Sequence, residues 1–134
     1  MNNYKVSDIL YFEKYYFTDT NECARHFALV LLPSAVMNYQ HNLLCSVITS
    51  KPERYYSLKL EKEAYRCFYE NSYVCFRRRD IEDVNDLSKK RQPVGTLNRH
   101  DIKRAFNIIK SVLYGAGDLY MMATVIREWK KISF

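Results

Sequence analysis

Two residues stand where side-chain chemistry and chain punctuation coincide. Arg25 precedes an apolar run at residues 27–32 (FALVLL), and Thr49 closes the next at 43–49 (LLCSVIT). A guanidinium at a strand end can stabilise a developing anion, and a threonine hydroxyl beside it can hydrogen-bond a phosphate oxygen. On composition alone the plainer reading is stronger: a loop arginine facing Glu22 and an ordinary strand threonine. Arg77, Arg78 and Arg79 follow a short apolar segment and could grip phosphates two-pronged. Asp80, Glu82 and Asp83 stand beside them, as in an ordinary solvated charge run, and these two readings are evenly matched. Lys89-Lys90-Arg91 reads as an exposed loop.

Most familiar cofactor and metal chemistries lack their signatures here. The three histidines, His26, His41 and His100, are scattered, with no HExxH motif. There is no glycine-rich phosphate loop and no GxSxG elbow. Cys23, Cys45, Cys67 and Cys75 form no CxxC pair and lie too far apart for a zinc site. Reduced thiols are expected, with Cys75 acting as a small hydrophobe, and neither metal nor cofactor is expected. Met1-Asn2-Asn3-Tyr4-Lys5 lacks a signal peptide's apolar run, and the longest apolar stretch is too short to cross a bilayer. The expectation is a cytoplasmic protein with no membrane association. Lys and Arg exceed Asp and Glu by 21 to 15, and the net charge of +6 favours an anionic partner.

The elements that would position these residues are strands first and helices last. A length of 134 residues with 48% hydrophobic and 15% aromatic content suits one domain with a real core. Residues 8–17 (DILYFEKYYF) have strand composition, and 18–24 read as a connection. The run at 27–32 suits a central strand buried on both faces and stopped by Pro33. Further strands are expected at 43–49, at 56–60 with Tyr56, Leu58 and Leu60 on one face, and at 73–76. Five short strands at this spacing predict a small barrel or a strongly bent sheet. Residues 98–114 predict a helix capped by Asn98, with Ile102, Ala105, Phe106, Ile109, Val112 and Leu113 on one face and Gly115 as its stop. A second helix is expected over 118–130, with Trp129 on its apolar side. The fold class is α+β.

The order of these pieces resembles the PemK/MazF family of toxin endoribonucleases from bacterial toxin–antitoxin systems. The opening Val6-Ser7-Asp8-Ile9-Leu10-Tyr11-Phe12 is similar to the family's first strand, which starts with a Gly-Asp pair. Arg25-His26-Phe27-Ala28-Leu29-Val30-Leu31 is similar to its Arg-Pro and aliphatic strand, and Cys45-Ser46-Val47-Ile48-Thr49-Ser50 to its aliphatic-Thr-Ser strand end. Residues 72–87 are similar to the family's strand and arginine-containing segment, and 98–113 to its long helix. The resemblance spans residues 6–114. Ser7 and His26 stand where the family has Gly and Pro, residues 87–97 are longer than usual, and the second helix is extra.

This resemblance implies an SH3-like barrel, a homodimer, and metal-independent cleavage of single-stranded RNA. The ribose 2′-hydroxyl attacks the adjacent phosphorus, leaving a 2′,3′-cyclic phosphate and a 5′-hydroxyl. It places the catalytic roles on Arg25 and Thr49, and RNA binding is expected at His26, Ser50, Lys51, Arg77 and Arg79. It also implies a cognate acidic antitoxin as partner. His26 adds a proton donor near neutral pH, yet neighbours on an extended strand face opposite ways, so Arg25 and His26 share a phosphate only where the chain bends. Tyr15, Tyr16 and Phe17 could stack on bases, although cross-strand packing explains them better.

Two other readings stay open. One is a CcdB-like, gyrase-binding toxin of related barrel architecture, with Trp129 as the comparison it invites. The other is a basic nucleic-acid-binding module without chemistry.

Overall fold

In the computed structural model, which describes residues 4–16, 23–33, 42–52, 54–85, 92–113 and 119–133, the aromatic-rich run after Ser7 forms β1 (Asp8–Tyr16). The aliphatic run extends backwards into β2 (Cys23–Leu32), so Cys23 and Ala24 lie within a strand and not in the connection expected over 18–24, and Arg25 and His26 lie on β2 as well. β3 (Asn42–Thr49), β4 (Ser57–Leu60) and β5 (Ser72–Cys75) follow close to their expected places. A tight helical turn, Arg78–Asp80, leads into β6 (Ile81–Asn85), and β7 (Gly95–Thr96) precedes the helices α1 (Arg99–Leu113) and α2 (Leu119–Ser133).

The strands make one antiparallel sheet in the order β4-β5-β3-β2-β1-β7, with β6 attached to β3. β5 pairs with the end of β3 at Ile48 and Thr49, whereas β6 pairs with its first half, from Asn42 to Ser46. Two partners on one edge of β3 curl the sheet into a half-barrel. Among the described residues its end strands β4 and β7 do not pair with each other. The fold is α+β, and no helix of the described residues is long and apolar enough to cross a membrane.

β2 is buried on both faces, which is why its sequence is continuously apolar. Ala28 and Val30 join Leu10, Phe12, Leu43, Cys45, Val47 and Cys75 on one face. Leu29 and Leu31 join the helix residues Ala105, Phe106, Ile109, Val125 and Trp129 on the other. Leu32 packs on that same side as Leu31 because the β2–β3 register shifts between Val30 and Leu32; the extra residue breaks the two-residue alternation. Each such side chain contributes roughly 1.5–3 kcal/mol through burial. Trp129 is completely buried and its indole Nε1–H donates to the Leu31 carbonyl at 3.1 Å, which pins α2 to β2. The cap of α1 is as expected: Asn98 Oδ1 accepts the Asp101 N–H at 2.8 Å.

Among the described non-glycine residues two carry positive φ, Ser7 at 79° and Tyr56 at 51°. Tyr56 therefore does not share the inward face of Leu58 and Leu60; it turns outward, exposed, just before β4 begins. Ser7 occupies a conformation that favours glycine. It is held there by its N–H to the Val30 carbonyl and by the Leu97 N–H on its own carbonyl.

Asp8, beside Ser7, is buried, and its carboxylate accepts the Lys5 N–H at 2.8 Å. Burial pushes its pKa above the ordinary carboxylate value; the Lys5 N–H, Thr96 and the Lys5 charge oppose this without cancelling it. The folded state thus holds the Asp8 proton to higher pH than the unfolded chain does. That contribution is complete below the unfolded pKa and is lost as pH rises through the folded one. Asp8→Asn is expected to gain thermal stability relative to the parent at pH 7, with the gain vanishing near pH 3. Melting temperatures followed by circular dichroism across that range check this, and parallel curves would refute it.

Candidate functional site

The antiparallel register of β2 and β3 is what brings the distant Arg25 and Thr49 together. Phe27 pairs with Ile48 at the end of this ladder, which brings the residues just beyond it, Arg25 and His26 on one strand and Thr49 and Ser50 on the other, to the same end of the sheet. There a cleft of ≈ 390 Å³ opens, lined by Arg25, His26, Phe27, Ile48, Thr49, Ser50, Lys51, Phe68, Tyr69, Glu70 and Ser72. This volume falls in the range of about 300–1,000 Å³ typical of ligand pockets. The floor is apolar: the Phe27 ring meets Phe68 edge-on at 4.9 Å and Tyr11 at 5.2 Å. The walls are polar and carry the cations of Arg25 and Lys51.

Neighbours on a regular strand face opposite ways, yet Arg25 and His26 both line the cleft. In the β1–β2 pairing Phe12 is opposite His26 and Tyr15 opposite Ala24, so three steps on β1 match two on β2 and β1 carries a bulge opposite Arg25.

Local hydrogen bonds set the remaining groups. Thr49 Oγ1 accepts the Lys51 N–H at 3.2 Å, turning Ser50 and Lys51 around the end of β3. Among the described residues nothing accepts the Thr49 hydroxyl hydrogen, which stays available to an anion. Arg25 is exposed and, among the described residues, has no hydrogen-bond or ion-pair partner. His26 Nδ1 lies 3.1 Å from the Ile48 carbonyl. A carbonyl only accepts, so Nδ1 carries the hydrogen and Nε2 is the basic nitrogen of the neutral ring.

Tyr69 and Glu70, which no sequence pattern marks, come from the β4–β5 connection, and α1 holds that connection in place. The Tyr65 hydroxyl donates to Asp101 Oδ2 at 2.5 Å and accepts the Asn98 N–H at 3.1 Å, at the start of α1. Arg104 closes the network on Asp101 Oδ1 at 3.0 Å. Burial, and then the Asp101 carboxylate, drive the Tyr65 pKa far above the ordinary phenol value, so the hydroxyl stays a donor at all physiological pH. Phe68, buried three residues on, fixes the approach to the cleft. Among the described residues, Glu70 is the one carboxylate of the lining. The one advance signal for this segment is its position directly before β5, which pairs Tyr73 with Thr49.

The structure gathers Arg25, His26, Thr49, Ser50 and Lys51 into one cleft, but not Arg77 or Arg79. Arg77 turns its fork onto Asp80, with Nε to Oδ2 at 2.8 Å and Nη2 to Oδ1 at 3.3 Å, and so braces the turn before β6. Arg79 is exposed, away from the cleft lining. Cys45, Cys67 and Cys75 are free thiols, and buried Cys75 packs as an apolar residue on β5. Burial pushes the Cys67 thiol pKa up. The side chains of Tyr15, Tyr16 and Cys23, together with Phe17, Glu22, His41, Lys89–Arg91 and Gly115, lie outside the described residues. No protein-family model matches the chain, and no curated protein matches it significantly.

Proposed function

We propose that the chain is a metal-independent endoribonuclease, the toxin component of a toxin–antitoxin pair of the PemK/MazF type, acting on single-stranded RNA. The observation that carries this reading is the meeting of Arg25 and Thr49, with His26, Ser50 and Lys51, in one cleft of nucleotide size. Position 7 supports the same alignment: the family's glycine falls on Ser7, whose φ of 79° is a conformation that glycine favours.

In this mechanism the substrate's 2′-oxygen forms a bond to the adjacent phosphorus as the bond to the 5′-oxygen breaks. Glu70 takes the 2′-hydroxyl proton, being the group of the lining best suited to do so as a general base. Arg25 stabilises the charge that builds on the phosphorane oxygens, and the Thr49 hydroxyl donates to one of them. Lys51 and His26 hold the flanking phosphate. The departing 5′-oxygen takes its proton from water, which reaches the exposed Arg25, Ser50 and Lys51. The products are a 2′,3′-cyclic phosphate and a 5′-hydroxyl. On this reading the curled sheet is an SH3-like barrel, the working unit is a homodimer, and an acidic antitoxin segment covers the cleft. The net charge of +6 is the electrostatic support for both anionic partners. The gyrase-binding alternative loses the anchor it invited, since Trp129 is fully buried in the core.

The test is incubation of the purified protein with long mixed-sequence single-stranded RNA in the presence of EDTA. Fragments ending in 2′,3′-cyclic phosphate are expected. Intact RNA across varied transcripts would overturn the nuclease reading, and binding without scission would favour the module without chemistry.

A further inference from the structure

Among the described residues Tyr69 is the most solvent-exposed large apolar residue, at 101% of its reference surface, and it lines the same cleft as Arg25 and Lys51. Single exposed aromatics are common on protein surfaces, so exposure alone says little. What sets Tyr69 apart is that the chain on both sides of it is tied down. Before it, Phe68 is buried, donates its N–H to the Tyr65 carbonyl at 3.2 Å, and packs its ring edge-on against Phe27. After it, the Glu70 carbonyl accepts the Ser72 hydroxyl at 3.2 Å, and Asn71 Oδ1 accepts the Lys62 N–H at 2.9 Å. Tyr65 is in turn clamped to the start of α1 through Asp101. An aromatic ring is thus presented to solvent at the rim of a cationic cleft by a backbone that is already ordered.

We infer that Tyr69 is a stacking platform for a nucleobase adjoining the phosphates that Arg25 and Lys51 engage, which makes the rim a base-binding subsite for single-stranded RNA. This rests on the nuclease reading and adds a ligand contact to it. The chemistry of the occupant follows from the two halves of the cleft. Cations on the wall call for a phosphate, and a flat uncharged ring beside them calls for a second flat ring one sugar away. Bases of a duplex are already stacked on each other and cannot reach the ring; those of a single strand can be splayed onto it. Stacking tolerates any base, because every base has a π-face. An ordered platform adds affinity without the cost of first immobilising a loop.

The experiment compares two dodecamers: a mixed-sequence 2′-fluoro strand, which lacks the attacking hydroxyl, and a strand of the same backbone bearing abasic sites throughout. Both carry the same phosphates, so the cationic contribution cancels between them. The parent protein is expected to bind the base-bearing strand about tenfold more tightly than the abasic one by fluorescence anisotropy. Tyr69→Ala should reduce that ratio to near one while leaving abasic binding unchanged. Tyr69→Trp should preserve the ratio, with the new indole quenched on binding. If the parent binds both strands equally, or if Tyr69→Ala keeps the full ratio, the platform is overturned while the nucleic-acid reading stands, and the ring is then left to contact a protein partner. If neither strand binds, the platform and the nuclease reading fall together.

Discussion

Arg25→Ala is expected to slow RNA cleavage by about 10²–10³-fold at saturating RNA, a loss of about 2.7–4 kcal/mol of transition-state stabilisation. The size of the effect follows from what the guanidinium does and does not touch. Arg25 is exposed and, among the described residues, engages no carboxylate or carbonyl. Its removal therefore orphans no buried partner and should leave the far-UV circular dichroism and melting temperature unchanged. RNA binding should weaken only a few-fold, because Lys51 remains in the cleft. The loss should appear in the single-turnover rate, since the phosphorane carries more charge on its equatorial oxygens than the ground-state phosphate does. Arg25→Lys keeps the charge without the planar fork and should recover part of the rate but not all. Thr49→Ala removes one hydrogen bond to a charged oxygen and is expected to cost about 10- to 100-fold. An Arg25→Ala protein that cleaves within threefold of the parent would remove Arg25 from the chemistry.

Why Arg25 and Thr49 were legible in sequence while Tyr69 and Glu70 were not is a matter of interaction range. Arg25 and Thr49 adjoin long aliphatic runs, and two such runs in succession pair as neighbours in a sheet more often than not. The cap of α1 is equally local, since Asn98 and Asp101 are three residues apart. β6 and β7 are different. Ile81–Asn85 is mostly acidic or polar (Glu82, Asp83 and Asn85) and Gly95–Thr96 is two residues long, so neither has strand character alone. They become strands because β3 and β1 offer free edges to them. The β4–β5 connection is more remote still. Its place at the cleft depends on Tyr65 reaching Asp101, 36 positions later in the chain, and on the β3–β5 register. Arg77 shows the converse, because a charge cluster advertises itself in sequence whether its partner is a ligand or, as here, Asp80. Tyr56 follows the alternation of Leu58 and Leu60 on paper, but its left-handed backbone ends that alternation before it reaches position 56.

Glu70→Gln is expected to separate binding from chemistry, because the two should move in opposite directions. Among the described residues, Glu70 puts a negative charge into a cleft otherwise lined by cations and neutral groups, and on the proposed function RNA brings further negative charge to it. If Glu70 served binding alone, it would be an odd choice, since it repels the substrate. Removing its charge should tighten RNA binding a few-fold, most visibly at low salt, where exposed charges are least screened. On the proposed mechanism the same substitution deletes the group that takes the 2′-hydroxyl proton. Loss of a positioned general base lowers the rate by about 10²–10⁴-fold, so kcat should fall steeply while KM falls as well. Glu70→Asp keeps the carboxylate but draws it back by one methylene, and should lie between the two. Glu70 is exposed at a site where its backbone carbonyl, not its side chain, makes the local hydrogen bond to Ser72, so neither variant should disturb folding. Single-turnover cleavage and equilibrium binding, measured on the same preparations at two salt concentrations, decide the matter. Tighter binding with undiminished cleavage would make Glu70 a mere electrostatic brake and would leave the 2′-hydroxyl proton to Nε2 of His26, the other base in the lining.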